Sequence, residues 1–133
     1  MAEFGRQEMV PGFKANSAFN TLGYPQYIFV AQLPATAYQA VGATSANSST
    51  ILGVLQNRPA IGEAMSIAQS GLSKVVAGGA LNAGIFITAN GSGRAAAVAS
   101  GGMAAGRLLE AAVSDGDVVT AMLFHPVRWG QVL

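Results

Sequence analysis

Short apolar segments, each ended by glycine or by an Asn-Gly or Asp-Gly pair, make up the chain from Gly53 to Phe124. Ile85–Ala89 is an apolar run followed by Asn90-Gly91, and Val118–Phe124 is the last such run. Apolar runs of about four to eight residues between turn residues are typical of β-strands, and Asn-Gly between two of them is a strong hairpin signal. The pattern therefore predicts an all-β domain of short strands.

Further segments are predicted to be strands because they are apolar or β-branched and lie between turn residues. They are Tyr27–Leu33, Tyr38–Gly42, Ile51–Gln56, Glu63–Ser70, Leu72–Ala77, Arg94–Ala99 and Gly106–Val113. Ala95–Val113 has a competing interpretation, because its many alanines favour a helix. The glycines within it each cost a helix about 1 kcal/mol relative to alanine. We predict strands there and allow a short helical turn near Met103–Leu108.

The chain divides into an arm, a domain and a tail. Residues 1–26 show neither a helical nor an alternating pattern and are predicted to form an extended N-terminal arm. Residues 27–124 are the β-barrel-like domain, which His125-Pro126 closes, and residues 125–133 are a short tail. The aromatic residues of the arm are Phe4, Phe13, Phe19 and Tyr24. A flexible tail would be poor in aromatic residues, so these rings either order against a partner or pack on the chain's own barrel.

Charged residues are scarce, which changes what the surface is expected to do. Seven Lys/Arg and six Asp/Glu make up 10% of the residues, against about 25% in average domains. Together with 17 glycines, this composition suits a protein that hides much of its surface in an assembly. The alternative is a small neutral domain with an alanine-rich surface.

The same composition argues against several classes of partner. The Lys/Arg residues are scattered and the net charge is +1, whereas nucleic-acid binding needs clustered cations. The charge-free stretches Ala15–Asn57 and Val75–Gly93 contain many polar or glycine residues, so neither is predicted to span a membrane as a helix. The N-terminus does not resemble a signal peptide, and without cysteine there is no disulfide framework. We expect no nucleic-acid and no membrane partner.

Residues capable of catalysis are few and poorly placed for it. His125 is the sole histidine, and no G-x-S-x-G nucleophile elbow is present, so a Ser-His-Asp site is not expected. Asp115 and Asp117 flank Gly116 in a turn, where aspartate is favoured for conformational reasons. Two carboxylates also fall short of the roughly six to eight oxygen ligands of calcium. We predict no enzymatic activity, no metal and no cofactor.

Two further features suggest a cofactor when taken alone. Gly91–Ala96 fits the G-x-G-x-x-A dinucleotide fingerprint, with Glu110 further along the chain. It follows a hairpin signal, however, and the evidence for a helix after it is poor. A lipoyl or biotin carrier domain also uses short strands and glycine turns, and would carry its group on Lys74. Because Lys74 lies within a predicted strand and not at a hairpin tip, the carrier is kept as a minor alternative.

The turns and strands of a little over half of the chain form a pattern found in a known family. The residues that carry it are Gly53–Asn57, Pro59, Gly62-Glu63, Gly71–Gly79, Ala83-Gly84, Asn90-Gly91, Gly93-Arg94, Gly106–Ala112 and Asp115–Asp117. In these features the chain resembles the capsid decoration, or cement, proteins of tailed phages. These are small β-barrel or β-tulip proteins that bind the outside of the head, similar in architecture to lambdoid head-decoration proteins.

The resemblance implies a non-enzymatic virion protein that binds the outer surface of the capsid and stabilises the mature head. Its partners would be the major capsid protein and further copies of itself in a trimer. N-terminal segments in this family often lie across neighbouring capsid subunits. The candidates for capsid contact are therefore the aromatic residues of the arm and the tail: Phe4, Phe13, Phe19, Tyr24 and Trp129.

Deletion of residues 1–25 is then expected to abolish or greatly weaken head binding and to leave the barrel folded. The alternative is another structural subunit of the virion, such as a tail or head-completion component.

Overall fold

The computed structural model describes residues 7–10, 12–15, 26–32, 39–42, 51–60, 62–99 and 102–128. They form ten β-strands: β1 (Glu8–Val10), β2 (Lys14–Ala15), β3 (Phe29–Gln32), β4 (Gln39–Gly42), β5 (Ile51–Leu55), β6 (Ile67–Val76), β7 (Phe86–Ala89), β8 (Ala95–Ala97), β9 (Met103–Leu108) and β10 (Val118–Arg128). The strands build one strongly curled, mostly antiparallel sheet in the shape of a half-barrel. The prediction of an all-β, barrel-like domain is confirmed. Among these residues no helix is long and apolar enough to cross a membrane.

The two longest strands, β6 and β10, form the centre of the sheet. Six residue pairs join them, from Val118 opposite Val76 to Leu123 opposite Gly71. The strand order is β2-β4-β3-β5-β6-β10-β9-β7-β8, and β1 pairs with the first half of β6. β1 therefore lies along the part of β6 that β10 leaves unpaired.

A first hydrophobic core lines the inside of the half-barrel. Its large, fully buried side chains come from five strands: Phe29, Val54, Val75, Ile87 and Leu108. In β10 the alternate residues Val119, Ala121 and Leu123 belong to the same core. The period of two along a strand thus places the intervening residues of β10 on the outer face.

The alternation shifts by one residue in β6 between Ala68 and Ser70, where the pairing with β1 skips Gln69. Ala68 and Val75 both belong to the first core, although a regular strand would place residues seven positions apart on opposite faces. Gly71 follows the shift with a φ of 95°, a backbone conformation that glycine adopts at little cost. The sequence signal for a break therefore lies next to an irregularity within one strand. The two predicted strands Glu63–Ser70 and Leu72–Ala77 are replaced by β6.

A second core covers the opposite face of β3, β5 and β6. Val30, Leu55 and Ile67 face it from these strands, and Phe13 packs against them with only 7% of its surface exposed. The backbone oxygen of Phe13 accepts a hydrogen bond from Met65 N at 2.9 Å. Burial of a phenylalanine side chain contributes about 1.5–3 kcal/mol, so this ring is a substantial part of the second core.

The segment predicted to be an extended arm thus contributes two strands and part of a core where it is described. β1 pairs with β6 and β2 pairs with β4, and Gln7 Nε2 donates to Leu72 O at 2.7 Å. Of the two explanations for the aromatic rings, packing on the chain's own barrel holds for Phe13. Deletion of residues 1–25 would uncover the second core, so we expect it to destabilise the barrel that the sequence predicts to stay folded. The other rings of the arm, Phe4, Phe19 and Tyr24, lie outside the described residues.

The predicted hairpin at Asn90-Gly91 is present and joins β7 to β8. Asn90 Oδ1 accepts hydrogen bonds from Ser92 N at 2.9 Å and from Arg94 N at 3.0 Å. Gly93 has a φ of 82°, and its carbonyl oxygen accepts a hydrogen bond from Phe29 N at 2.7 Å. The tip of this hairpin therefore contacts β3, which helps to close the curled sheet.

Two strands near the C-terminus differ from the predictions. β9 occupies Met103–Leu108, where the alanine content allows a helical turn, because pairing with β7 and β10 outweighs intrinsic propensity. β10 continues to Arg128, four residues beyond the predicted end of the last strand at Phe124. Its pairing with β9 is irregular between Leu123 and Val127. Pro126 lies in that interval, where a residue without a backbone N–H is tolerated.

Candidate protein-binding surface

The outer face of β10 is apolar and partly open to solvent. Val118 and Met122 point away from the first core, and 50% and 48% of their surfaces are exposed. Thr120 lies between them on the same side of the strand. In the described chain the exposed large apolar residues are Met9, Leu109, Val113, Val118, Met122 and Val127. All but Met9 fall on β10 or on the connection that leads into it.

Cross-strand register extends this surface onto three neighbouring strands. Met122 lies opposite Leu72 on β6 and opposite Arg107 on β9, and Arg107 lies opposite Phe86 on β7. Residues paired in this way share one face of the sheet, with Cβ atoms about 5 Å apart. We define the β10 face by these outward residues together with Lys74, which lies opposite Thr120. Its members are Leu72, Lys74, Phe86, Arg107, Val118 and Met122.

Phe86 links the β10 face to an open groove. Its ring packs edge to face against Phe124, with centroids 6.2 Å apart and an angle of 67° between the planes. The groove has a volume of about 390 Å³ and is lined by Gly84, Ile85, Phe86, Ala97 and Val98. These lining residues are apolar, so the groove continues the character of the face towards β8.

Hydrogen bonds fix the acidic groups in the connection between β9 and β10. Glu110 Oε1 accepts a hydrogen bond from Thr120 N at 2.8 Å. Hydrogen bonds with the side chain and backbone of Thr120 lower the pKa of Glu110, and Lys74 lowers it further. Asp117 Oδ2 accepts hydrogen bonds from the amides of Val113 and Ser114 at 2.8 and 3.0 Å. These two bonds lower the pKa of Asp117.

The acidic turn serves the fold, as its sequence predicts. Asp117 caps the turn through these backbone amides, and Asp115 forms an ion pair with Arg94 at 2.5 Å. His125 is exposed on β10. The described residues contain no group of three or more His, Cys, Asp or Glu that could hold a metal ion.

Phe13 is the one predicted contact residue within the described part of the chain, and it does not lie on the exposed apolar surface. Phe13 is buried in the second core, and Phe4, Phe19, Tyr24 and Trp129 lie outside the described residues. Lys74 is exposed within β6, two residues before its end, whereas a carrier domain displays its lysine at a hairpin tip.

The β10 face was not recognisable as a site in the sequence, although one signal pointed towards it. Val118–Phe124 is apolar at every position except Thr120. A strand with one solvated face normally alternates apolar and polar residues, whereas a continuous apolar run indicates that both faces avoid water. In the described chain one of those faces is exposed, and this combination indicates a surface that a partner covers.

Comparison of the sequence with protein-family models and with curated proteins found no match.

Proposed function

We propose that the chain is a non-enzymatic virion protein that binds the outer surface of a phage capsid and stabilises the mature head. The observation that carries the proposal is the β10 face, in which the half-exposed Val118 and Met122 lie beside the partly buried Leu72 and Phe86. Contiguous apolar patches on soluble proteins commonly mark binding sites for other proteins. The resemblance of Gly53–Phe124 to decoration proteins adds the identity of the partner, the major capsid protein.

The fold suits a protein that acts by binding and does not change shape. Four of the six residues of the β10 face lie on the two longest strands, and the first core fixes these strands from the inside. A surface that is rigid before binding loses little conformational entropy when it docks. Most of the interaction free energy is then available to hold neighbouring capsid subunits together.

The mechanism is a thermodynamic one. A protein that binds the expanded lattice but not its precursor stabilises the expanded state by mass action, by about 2.7 kcal/mol per site at a free concentration of 100 times Kd. Assembly into a trimer would let one particle contact several capsid subunits, and linked contacts raise the overall affinity through a high effective concentration. No catalytic step is required.

The proposal is tested by sedimentation with heads of the phage whose genome encodes the chain. Purified protein is mixed with mature heads and with unexpanded proheads, and the amount that pellets is measured against concentration. We expect saturable binding to mature heads and weak or no binding to proheads. Absence of binding to both would refute the proposal and direct attention to a tail or head-completion role.

A matched pair of variants shows whether the β10 face makes the contact. Met122→Glu places a carboxylate in the centre of the face, and we expect it to weaken head binding at least tenfold. Met9→Glu is the control, because Met9 has a similar exposed fraction of 46% and lies opposite Ala68 of the first core, on the other side of the sheet. Equal losses in the two variants would exclude the β10 face as the contact surface.

A further inference from the structure

The carboxylates of the described chain are all engaged by its own hydrogen-bond donors. Glu8 accepts from Ser70 Oγ at 2.9 Å and Glu63 accepts from Ala60 N at 2.7 Å. The carboxylates of the β9–β10 connection are occupied in the same way: Glu110, Asp115 and Asp117. The negative charge of the described surface is therefore already used in holding the fold.

The two cations of the β10 face, in contrast to the carboxylates, are not held by hydrogen bonds or salt bridges in the described chain. In the described part of the chain, neither the Lys74 amine nor the Arg107 guanidinium forms a hydrogen bond or a salt bridge, and both residues are exposed. Lys74 lies on β6 and Arg107 on β9, so they flank Thr120 and Met122 of β10 from the two sides. Lys74 lies near enough to Glu110 to lower the pKa of that carboxyl, but without a hydrogen bond or salt bridge to hold them in the described chain, both cations bordering the apolar centre can turn towards a partner.

We propose that the β10 face docks on an acidic protein surface, an apolar patch of the outer capsid bordered by carboxylates that pair with Lys74 and Arg107. This inference rests on the proposed function and specifies the chemistry of its partner. Arginine and lysine at the rim of an apolar contact steer association and fix orientation more than they add affinity. The carboxylates of the partner would be placed to meet β6 and β9 on either side of Met122.

A protein partner fits the face better than a polyanion does. Binding to a nucleic-acid backbone or to an anionic lipid surface rests on many clustered cations, and here two cations border an apolar centre. Leu72, Met122 and Val118 need an apolar counterpart, which phosphate groups do not provide. A protein surface with carboxylates around an apolar patch could pair with the two cations and cover the apolar centre of the face.

The test uses two double variants of the full chain with equal changes in net charge. Lys74→Glu with Arg107→Glu reverses the cations of the face, while Lys14→Glu with Arg58→Glu reverses two exposed cations elsewhere. Binding to mature heads is measured by sedimentation at about 50, 150 and 500 mM salt. A neutral variant, Lys74→Gln with Arg107→Gln, covers the case in which charge reversal disturbs the fold, and circular dichroism confirms folding of each protein.

We expect wild-type affinity to fall as salt rises, because exposed ion pairs are screened. The variant with reversed cations on the face should bind mature heads at least tenfold more weakly than wild type at about 50 mM salt. The neutral variant should lose less affinity and show a flatter salt dependence. The affinity of the control variant should stay within about threefold of the wild-type value. Equal losses in face and control variants, or no loss in either, would overturn the inference and leave the decoration role intact. Absence of wild-type binding to heads would overturn both, and binding to phosphatidylserine vesicles alone would assign the face to a membrane surface.

Discussion

Replacement of Phe13 by alanine separates the two roles that the sequence allows for this ring. Phe13 is 7% exposed and lies among Val30, Leu55 and Ile67 of the second core. Truncation of a buried phenylalanine costs about 3–5 kcal/mol, the sum of lost burial and the cavity left behind. The N-terminal segment is joined to the domain by few strand pairs and can shift to fill part of the cavity. We therefore expect the lower end of this range, about 3 kcal/mol.

A loss of that size is a large part of the total stability of a small domain, about 5–15 kcal/mol. It corresponds to a decrease in Tm of about 10–15 °C for a domain of this length. Urea unfolding followed by circular dichroism measures the free energy of unfolding, with linear extrapolation to water. Met9→Ala is the control within the same segment, and since Met9 is about half exposed we expect a change below about 0.5 kcal/mol.

The two readouts together decide the matter. If Phe13→Ala loses about 3 kcal/mol of stability and binds mature heads normally at temperatures where it is folded, Phe13 is a core residue. A loss of stability below about 1 kcal/mol would refute the packing described for the second core. Normal stability with lost head binding would support the other explanation from the sequence, in which Phe13 contacts the capsid.

Three further predictions concern the fold. Within the described residues the buried hydroxyl of Thr88 has no hydrogen-bond partner, so Thr88→Val should leave stability unchanged or raise it by up to about 1 kcal/mol in urea unfolding; a clear loss would indicate a partner outside these residues. Gly93→Ala should lower the free energy of unfolding more than Gly116→Ala. Both glycines have a positive φ, which costs alanine about 1 kcal/mol in strain, but a Cβ at Gly93 would also lie 2.9 Å from Phe29 O, while one at Gly116 meets nothing within 4 Å. Equal losses in the two variants would argue against the contact between the hairpin and β3. The hydrogen bonds that lower the pKa of Asp117 stabilise the fold at neutral pH, and this stabilisation is lost as the pH falls below 3.8, the ordinary pKa of aspartate, and through the lower pKa of the folded state. Between pH 7 and 2.5 the Tm should therefore fall less steeply in Asp117→Asn than in the wild type. Parallel curves of Tm against pH would contradict this role of Asp117.

The features predicted best from the sequence are those set by neighbouring residues. The hairpin after β7 is specified by the side chain of Asn90 and by the conformational freedom of Gly93, which has a φ of 82°, and both act within residues 90–94. Asp117 likewise caps a turn formed by residues within four positions of it. Because these interactions join residues close together in the chain, the sequence predicts both the turn and the hairpin.

The features that were missed depend on partners distant in sequence. β1 and β2 contain three and two residues, too few for a periodic pattern, and they are strands only because β6 and β4 lie beside them. Gly71 has the sequence signal of a turn, yet β10 pairs along the second half of β6 and keeps that strand continuous with the first. Strand β10 is apolar on both of its sides, so the pattern of apolar and polar residues alone does not predict which side is exposed.

The extra residue Gln69 also constrains how the length of β6 can change during evolution. The residues before it and after it follow opposite parities, since Ala68 and Val75 face the same core across an odd interval. Deletion of Gln69 would make that interval even, so a regular strand would keep both residues in the core. Insertion of a single residue between Gly71 and Lys74 would instead exchange Val75 with Lys74 between the core and the surface. Length variants of this domain should therefore tolerate loss of this one residue and reject single insertions in the second half of β6.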